Sequence, residues 1–137
     1  NNEEFYKFAK CIVLTMLSAL IIFIFFQTSV SRPIIVGDDM FSNMIRNIYA
    51  NDRPVNCCPS LHVALALICS IWVCRVSENR ILKSTVIVVG YLIILSTLFI
   101  KQHVIMDVIV AFIQVFVLRN IVDRNPHVEY EETVEIR

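Results

Sequence analysis

Cys57–His62, CCPSLH, and Ser96–Asp107, STLFIKQHVIMD, are the two stretches from which the rest of the chain is read. In both, histidine, serine, lysine or aspartate crowds against the end of a hydrophobic run. His103 and Asp107 are four residues apart, so a helix beginning near His103 puts them one turn apart on one face. There the carboxylate holds the imidazole Nδ1–H and leaves the other ring nitrogen as a nucleophile or base. His62 follows Pro59 and Ser60 at the start of another apolar run. That turn-then-helix sequence leaves free N–H groups and a positive dipole end beside a second imidazole. Free N–H groups, a hydroxyl, two imidazoles and nearby cations together suit a phosphate.

Outside these stretches the chain is apolar. Hydrophobic residues make up 57% of its 137 residues and the mean hydropathy is +0.69, whereas soluble domains run at roughly 45–50% apolar. The sequence therefore predicts an all-α, polytopic membrane helix bundle. Cys11 to Ser31 and Ser84 to Ile100 carry no formal charge, and about 20 residues cross a ~30 Å hydrocarbon layer. Leu61 to Cys74 and Val104 to Leu118 are apolar runs interrupted by His62 and Asp107. Four transmembrane helices are expected, at about 8–30, 61–76, 81–100 and 103–121, the second and fourth requiring the polar site to lie at the interface.

Pro33 stops the first helix and leaves Arg32 where the chain exits the membrane. Gly37, Asp38 and Asp39 make a turn and an N-cap. Met40, Phe41, Met44, Ile45, Ile48 and Tyr49 then recur at helical spacing. This predicts a short interfacial helix at about 39–50, covering the bundle end or acting as a lid, and closed by Asn51–Pro54. Ser77–Arg80 is a tight turn, and Gly90 permits close approach of a neighbouring helix. Residues 1–122 are read as one membrane-embedded unit and 123–137 as a charged cytoplasmic tail.

The formal net charge is zero, which argues against a nucleic-acid partner. With the site on one side, Arg32, Arg46, Arg53 and Lys101 lie with it. Lys7, Lys10, Arg75, Arg80, Lys83, Arg119, Arg124 and Arg137 fall on the other side. The positive-inside tendency makes that richer side cytoplasmic and puts the site on the extracytoplasmic or lumenal face. Five cysteines, three of them inside apolar runs, give no disulfide framework. His62, His103 and Asp107 are also the residue types of a two-His, one-carboxylate metal set. Ser60, Lys101 and Arg32, however, add donors and positive charge where a cation would want anionic ligands, so an anion is favoured and neither metal nor cofactor is expected.

At these residues the chain resembles the type 2 phosphatidic acid phosphatase superfamily of membrane lipid phosphatases and phosphotransferases. That family carries three blocks: lysine, six residues, arginine-proline; then PSxH; then serine-arginine, five residues, histidine, three residues, aspartate. Here the second block is Pro59, Ser60, Leu61, His62, and the third is Ser96, Thr97, five residues, His103, three residues, Asp107. The first survives as Arg32-Pro33. Phe25 stands at the family's lysine position and Thr97 at its third-block arginine, with Lys101 as a candidate replacement cation.

The resemblance implies that His103 attacks phosphorus to form a phosphohistidine, that Asp107 orients it, and that His62 protonates the leaving alkoxide. It assigns the phosphoryl oxygens to Arg32, Ser60 and Ser96, to which Lys101 is added. It implies a lipid phosphate monoester or pyrophosphate as substrate. CCPSLHVA and LFIKQH look nearer to the inositol phosphorylceramide synthase-like branch, which makes transfer between lipids the alternative. A non-catalytic membrane scaffold or lipid-binding member is the further alternative. The family commonly has six helices with the first block after the third, so the chain is expected to form the core of that fold, completed by further N-terminal helices or another subunit, a homo-oligomer included.

Overall fold

The computed structural model describes residues 2–124; the tail expected at 123–137 lies almost entirely outside them. Five helices follow in order: α1 Asn2–Phe25, α2 Met40–Asn51, α3 Leu61–Val76, α4 Arg80–Phe99 and α5 Ile105–Arg124. Among the described residues there is no strand, only one antiparallel bridge between Ser29 and Val55. α1, α4 and α5 are long and apolar enough to cross a membrane, while α3 is apolar but has 16 residues. The protein is an integral membrane helix bundle in which three long spans accompany a shorter fourth helix.

α3 sits at the centre, packed on α1, α4 and α5. Val63, Ala64, Ile68 and Trp72 on α3 form the core with Cys11 of α1 and Ala111, Val115 and Val122 of α5. Polar groups tie the layers together where the hydrophobic effect is weak. Gln114 Nε2 donates to Thr15 O at 3.1 Å and to Ser18 Oγ at 2.8 Å, joining α5 to α1. Gly90 lets α4 close on α3: a Cβ there would stand 2.7 Å from Ser70 Oγ, which itself donates to Ala66 O and Val86 O. Large hydrophobic side chains face outward along α1, α4 and α5, as a lipid-facing surface requires. At the end of the bundle away from the two polar stretches, Arg75 pairs with Glu4 at 2.9 Å and Asp123 at 2.7 Å, bringing α1, α3 and α5 together.

Several helix bounds differ from expectation. α1 is already helical at Asn2, with a Glu3–Lys7 pair across its first turns, and it ends at Phe25 rather than near residue 30. Residues 26–39 are extended instead, since Val30 N donates to Pro54 O at 3.3 Å and Thr28 Oγ1 accepts from Cys57 N and Cys58 N at 2.9 and 2.8 Å. Those tertiary bonds replace the last helical turn. α5 starts at Ile105, two residues later than the expected helix at 103, because Lys101 takes φ 55° and the N–H groups of Gln102 and His103 both turn back to Thr97 O. α2, Met40–Asn51, falls within a residue of the helix expected at about 39–50, and Asp39 caps it by accepting from Phe41 N and Ser42 N. All five cysteines are free.

Candidate active site

The site is assembled from helix starts. Ser60 is the N-cap of α3, its hydroxyl accepting from Val63 N at 3.3 Å, which leaves His62 in the first turn. Asp107 lies in the first turn of α5 and accepts from Val104 N at 3.0 Å, half of a capping box, where the helix dipole favours a carboxylate. The two helix starts are joined directly, Ser60 N donating to Asp107 O at 3.3 Å.

Across that junction three titratable groups line up. His103 Nδ1 is 3.3 Å from Asp107 Oδ2, and His103 Nε2 is 3.4 Å from His62 Nδ1, with the rings 5.7 Å apart at 60°. Because Asp107 is an acceptor, it fixes the proton of His103 on Nδ1 and leaves the Nε2 lone pair facing His62. His103 and Asp107 are buried, while His62 is exposed toward solvent. Burial pushes the His103 pKa down against the opposing pull of the Asp107 carboxylate, so the ring is neutral where an ordinary imidazole would already be charging. The His103–Asp107 pairing therefore spans a turn-to-helix junction, not one continuous helical face.

Arg32 lines the same pocket of about 230 Å³ as His62 and His103. Its side chain is only 8% exposed; Nη2 donates to Asp52 Oδ2 at 2.7 Å, Nη1 donates to Asp52 O, and the guanidinium stacks 4.6 Å over the Tyr49 ring. Gln102 Nε2 also donates to Asp52 Oδ2, at 2.9 Å. Burial pushes the Asp52 carboxyl up, but the Gln102 and Arg32 hydrogen bonds outweigh it and the net shift is downward.

The other expected phosphate-binding residues sit differently. Ser60 is fully buried beneath the pocket and occupied as a cap. Ser96 is on an exposed face of α4, donating to Ile93 O at 2.8 Å. Lys101 lines a separate, apolar-walled groove of about 590 Å³ between the end of α4 and the start of α5, with His103 shared by both cavities. Phe25 is exposed at the end of α1. Thr97 is buried, and its carbonyl anchors the turn that carries His103.

As members of the site, Asp52, Gln102, Tyr49 and Thr28 escaped the sequence reading, which placed Tyr49 and Asp52 only in and after the 39–50 helix. The available signal was Asp52 itself, an acid at the end of an amphipathic helix on the side of the membrane where Arg32 needs a counter-charge. Among the described residues no group of three or more His, Cys, Asp or Glu side chains is placed to hold a metal ion.

A family model described as PAP2 superfamily matches residues 1–119 of the chain. No curated protein and no solved structure matches it.

Proposed function

The chain belongs to the PAP2 superfamily, whose members are phosphatases and phosphoesterases, and from that premise we propose an integral membrane phosphatase that hydrolyses a lipid phosphate monoester or pyrophosphate through a phosphohistidine. The observation that carries the reading is the run Asp107, His103, His62 opening into a pocket that Arg32 also lines.

His103 Nε2 attacks phosphorus; the N–P bond forms as the P–O bond to the lipid alcohol breaks. His62 gives its proton to the departing alkoxide, and Asp107 compensates the charge growing on the His103 ring. Water, deprotonated by His62, then attacks phosphorus and releases inorganic phosphate, returning His103 to its starting state. Arg32 and the N–H groups at the start of α3 hold the phosphoryl oxygens, preorganised donors that meet charge as it builds. No phosphorus fits between nitrogens 3.4 Å apart, so His62, the exposed ring, swings aside when substrate enters. The apolar groove that shares His103 suits a lipid tail, with Lys101 at its rim as a second phosphate contact. Ser60 contributes by capping α3, and Ser96 by its place in the turn of α4 that leads to His103. The site opens on the extracytoplasmic or lumenal face.

Phosphotransfer of the inositol phosphorylceramide synthase type uses the same intermediate with an alcohol in place of water. It is favoured by the likeness of CCPSLHVA and LFIKQH to that branch. Rapid quench of the enzyme turning over a phosphate-labelled lipid should trap an acid-labile covalent phosphate that His103→Gln abolishes. A parent enzyme that never carries label during turnover would overturn the mechanism. Inorganic phosphate released without an added acceptor alcohol supports hydrolysis, whereas release that waits for the alcohol supports transfer. Lys101→Ala with unchanged turnover would remove Lys101 from the site.

A further inference from the structure

The pocket already contains an anion. Asp52 Oδ2 takes one hydrogen bond from Arg32 Nη2 and another from Gln102 Nε2, and Asp52 O takes a third from Arg32 Nη1. Arg32 is thereby engaged on both Nη atoms, while its buried Nε has no acceptor. The groups facing Asp52 are Arg32 from the extended segment, Arg53 beside it, His62 from α3, and Gln102 and His103 from the α4–α5 turn, with Tyr49 of α2 under the guanidinium. Arg32 and Arg53 are balanced by Asp52 and, behind His103, by Asp107. Both family positions that would add cations here, Phe25 and Thr97, are uncharged.

We propose that Asp52 is a specificity-determining residue that turns the pocket toward singly charged phosphoryl groups, a phosphodiester or a protonated monoester, and against the monoester dianion. This inference rests on the phosphate-site reading above and narrows its substrates to the protonated monoester for hydrolysis and the phosphodiester for transfer, setting the pyrophosphate aside. Each unit of negative charge on the ligand meets the Asp52 carboxylate again, so the repulsion doubles from monoanion to dianion. Donor supply points the same way. A monoanion can be met by the N–H groups at the start of α3 while Asp52 keeps both Arg32 Nη atoms, whereas a two-pronged Arg32 grip on a dianion needs an Nη that Asp52 holds.

Asp52→Asn removes the charge and keeps an acceptor of similar shape for Arg32. Binding of inorganic phosphate to the detergent-solubilised full chain, followed by phosphorus NMR titration, should tighten in the variant by about tenfold at about pH 8.5, where phosphate is a dianion, and by no more than about threefold at about pH 5. In the parent alone, dimethyl phosphate should bind several-fold more tightly than methyl phosphate at the higher pH, a readout that does not depend on the variant folding. Equal tightening at both pH values, no tightening, or a parent that prefers the methyl phosphate dianion would overturn the role of Asp52. A parent that binds none of the three phosphates at either pH would instead overturn the phosphate site itself, and this inference with it.

Discussion

Asp107 accepts from the Val104 N–H and faces His103 Nδ1, so one carboxylate starts a helix and aims the imidazole. Asp107→Asn keeps an oxygen for the helix start but can also present an N–H to the ring, which releases its tautomer. We expect kcat to fall by about 10²–10⁴-fold with little change in KM, measured on the same lipid phosphate. The pH profile separates aim from charge. In the proposed mechanism neutral His103 is the reactive form, and burial holds its pKa down, so activity should persist as pH falls below the ordinary imidazole value of ~6.5 and be lost only through the lowered pKa. Asp107 pulls that pKa upward, and the acidic limb of kcat/KM should therefore move lower still in Asp107→Asn. A limb that stays in place would mean that another group titrates there. At this scale the sequence was informative where spacing is local. His62 after Pro59-Ser60, and Asp107 four residues beyond His103, needed only their neighbours. Asp52 was opaque because its partners Arg32 and Gln102 lie 20 and 50 residues away and meet only when α2 ends against the α4–α5 turn.

Helix ends, more than helix interiors, set the geometry of the site. Thr28 is the sharpest case, since one hydroxyl oxygen takes both Cys57 N and Cys58 N and so holds the loop that delivers Pro59 to His62. Thr28→Val should lower stability by about 1–3 kcal/mol, read from thermal unfolding in detergent, and should reduce kcat as well. Unchanged kcat would show that the loop keeps its position without the hydroxyl. Gly90→Ala tests the α3–α4 contact: the new methyl meets Ser70 Oγ, and a cost of about 1–3 kcal/mol is expected, with Ser70→Ala/Gly90→Ala recovering most of it. Apolar runs and caps made α2, α3 and α4 legible almost to the residue. The early end of α1 and the late start of α5 were not, because both depend on backbone N–H groups bonding to distant acceptors, Pro54 O in one case and Thr97 O in the other.

Taken whole, the molecule has its titratable site at one end and the Arg75, Glu4 and Asp123 pairs at the other. At 1.5 Å per residue α3 is about 24 Å long, less than the ~30 Å hydrocarbon layer, so the central helix is too short to cross that layer upright by itself. Single cysteines placed at Glu78, in the α3–α4 turn, and at Val36, in the exposed extended segment, should be labelled by an impermeant thiol reagent from opposite sides of sealed vesicles. Labelling of both from one side would refute the spanning topology. Composition alone announced the membrane. It did not reveal that α3, the shortest apolar helix, is the one the others wrap, because hydrophobicity on every face gives no direction to a core.

The link from Ser60 N to Asp107 O joins two rods whose own ladders are complete without it. Mild heat or a stripping detergent that slides α3 past α5 by an ångström would part that link and leave each rod fully coiled. Circular dichroism would then report a healthy preparation long after turnover had died, and inactivation would run well ahead of melting.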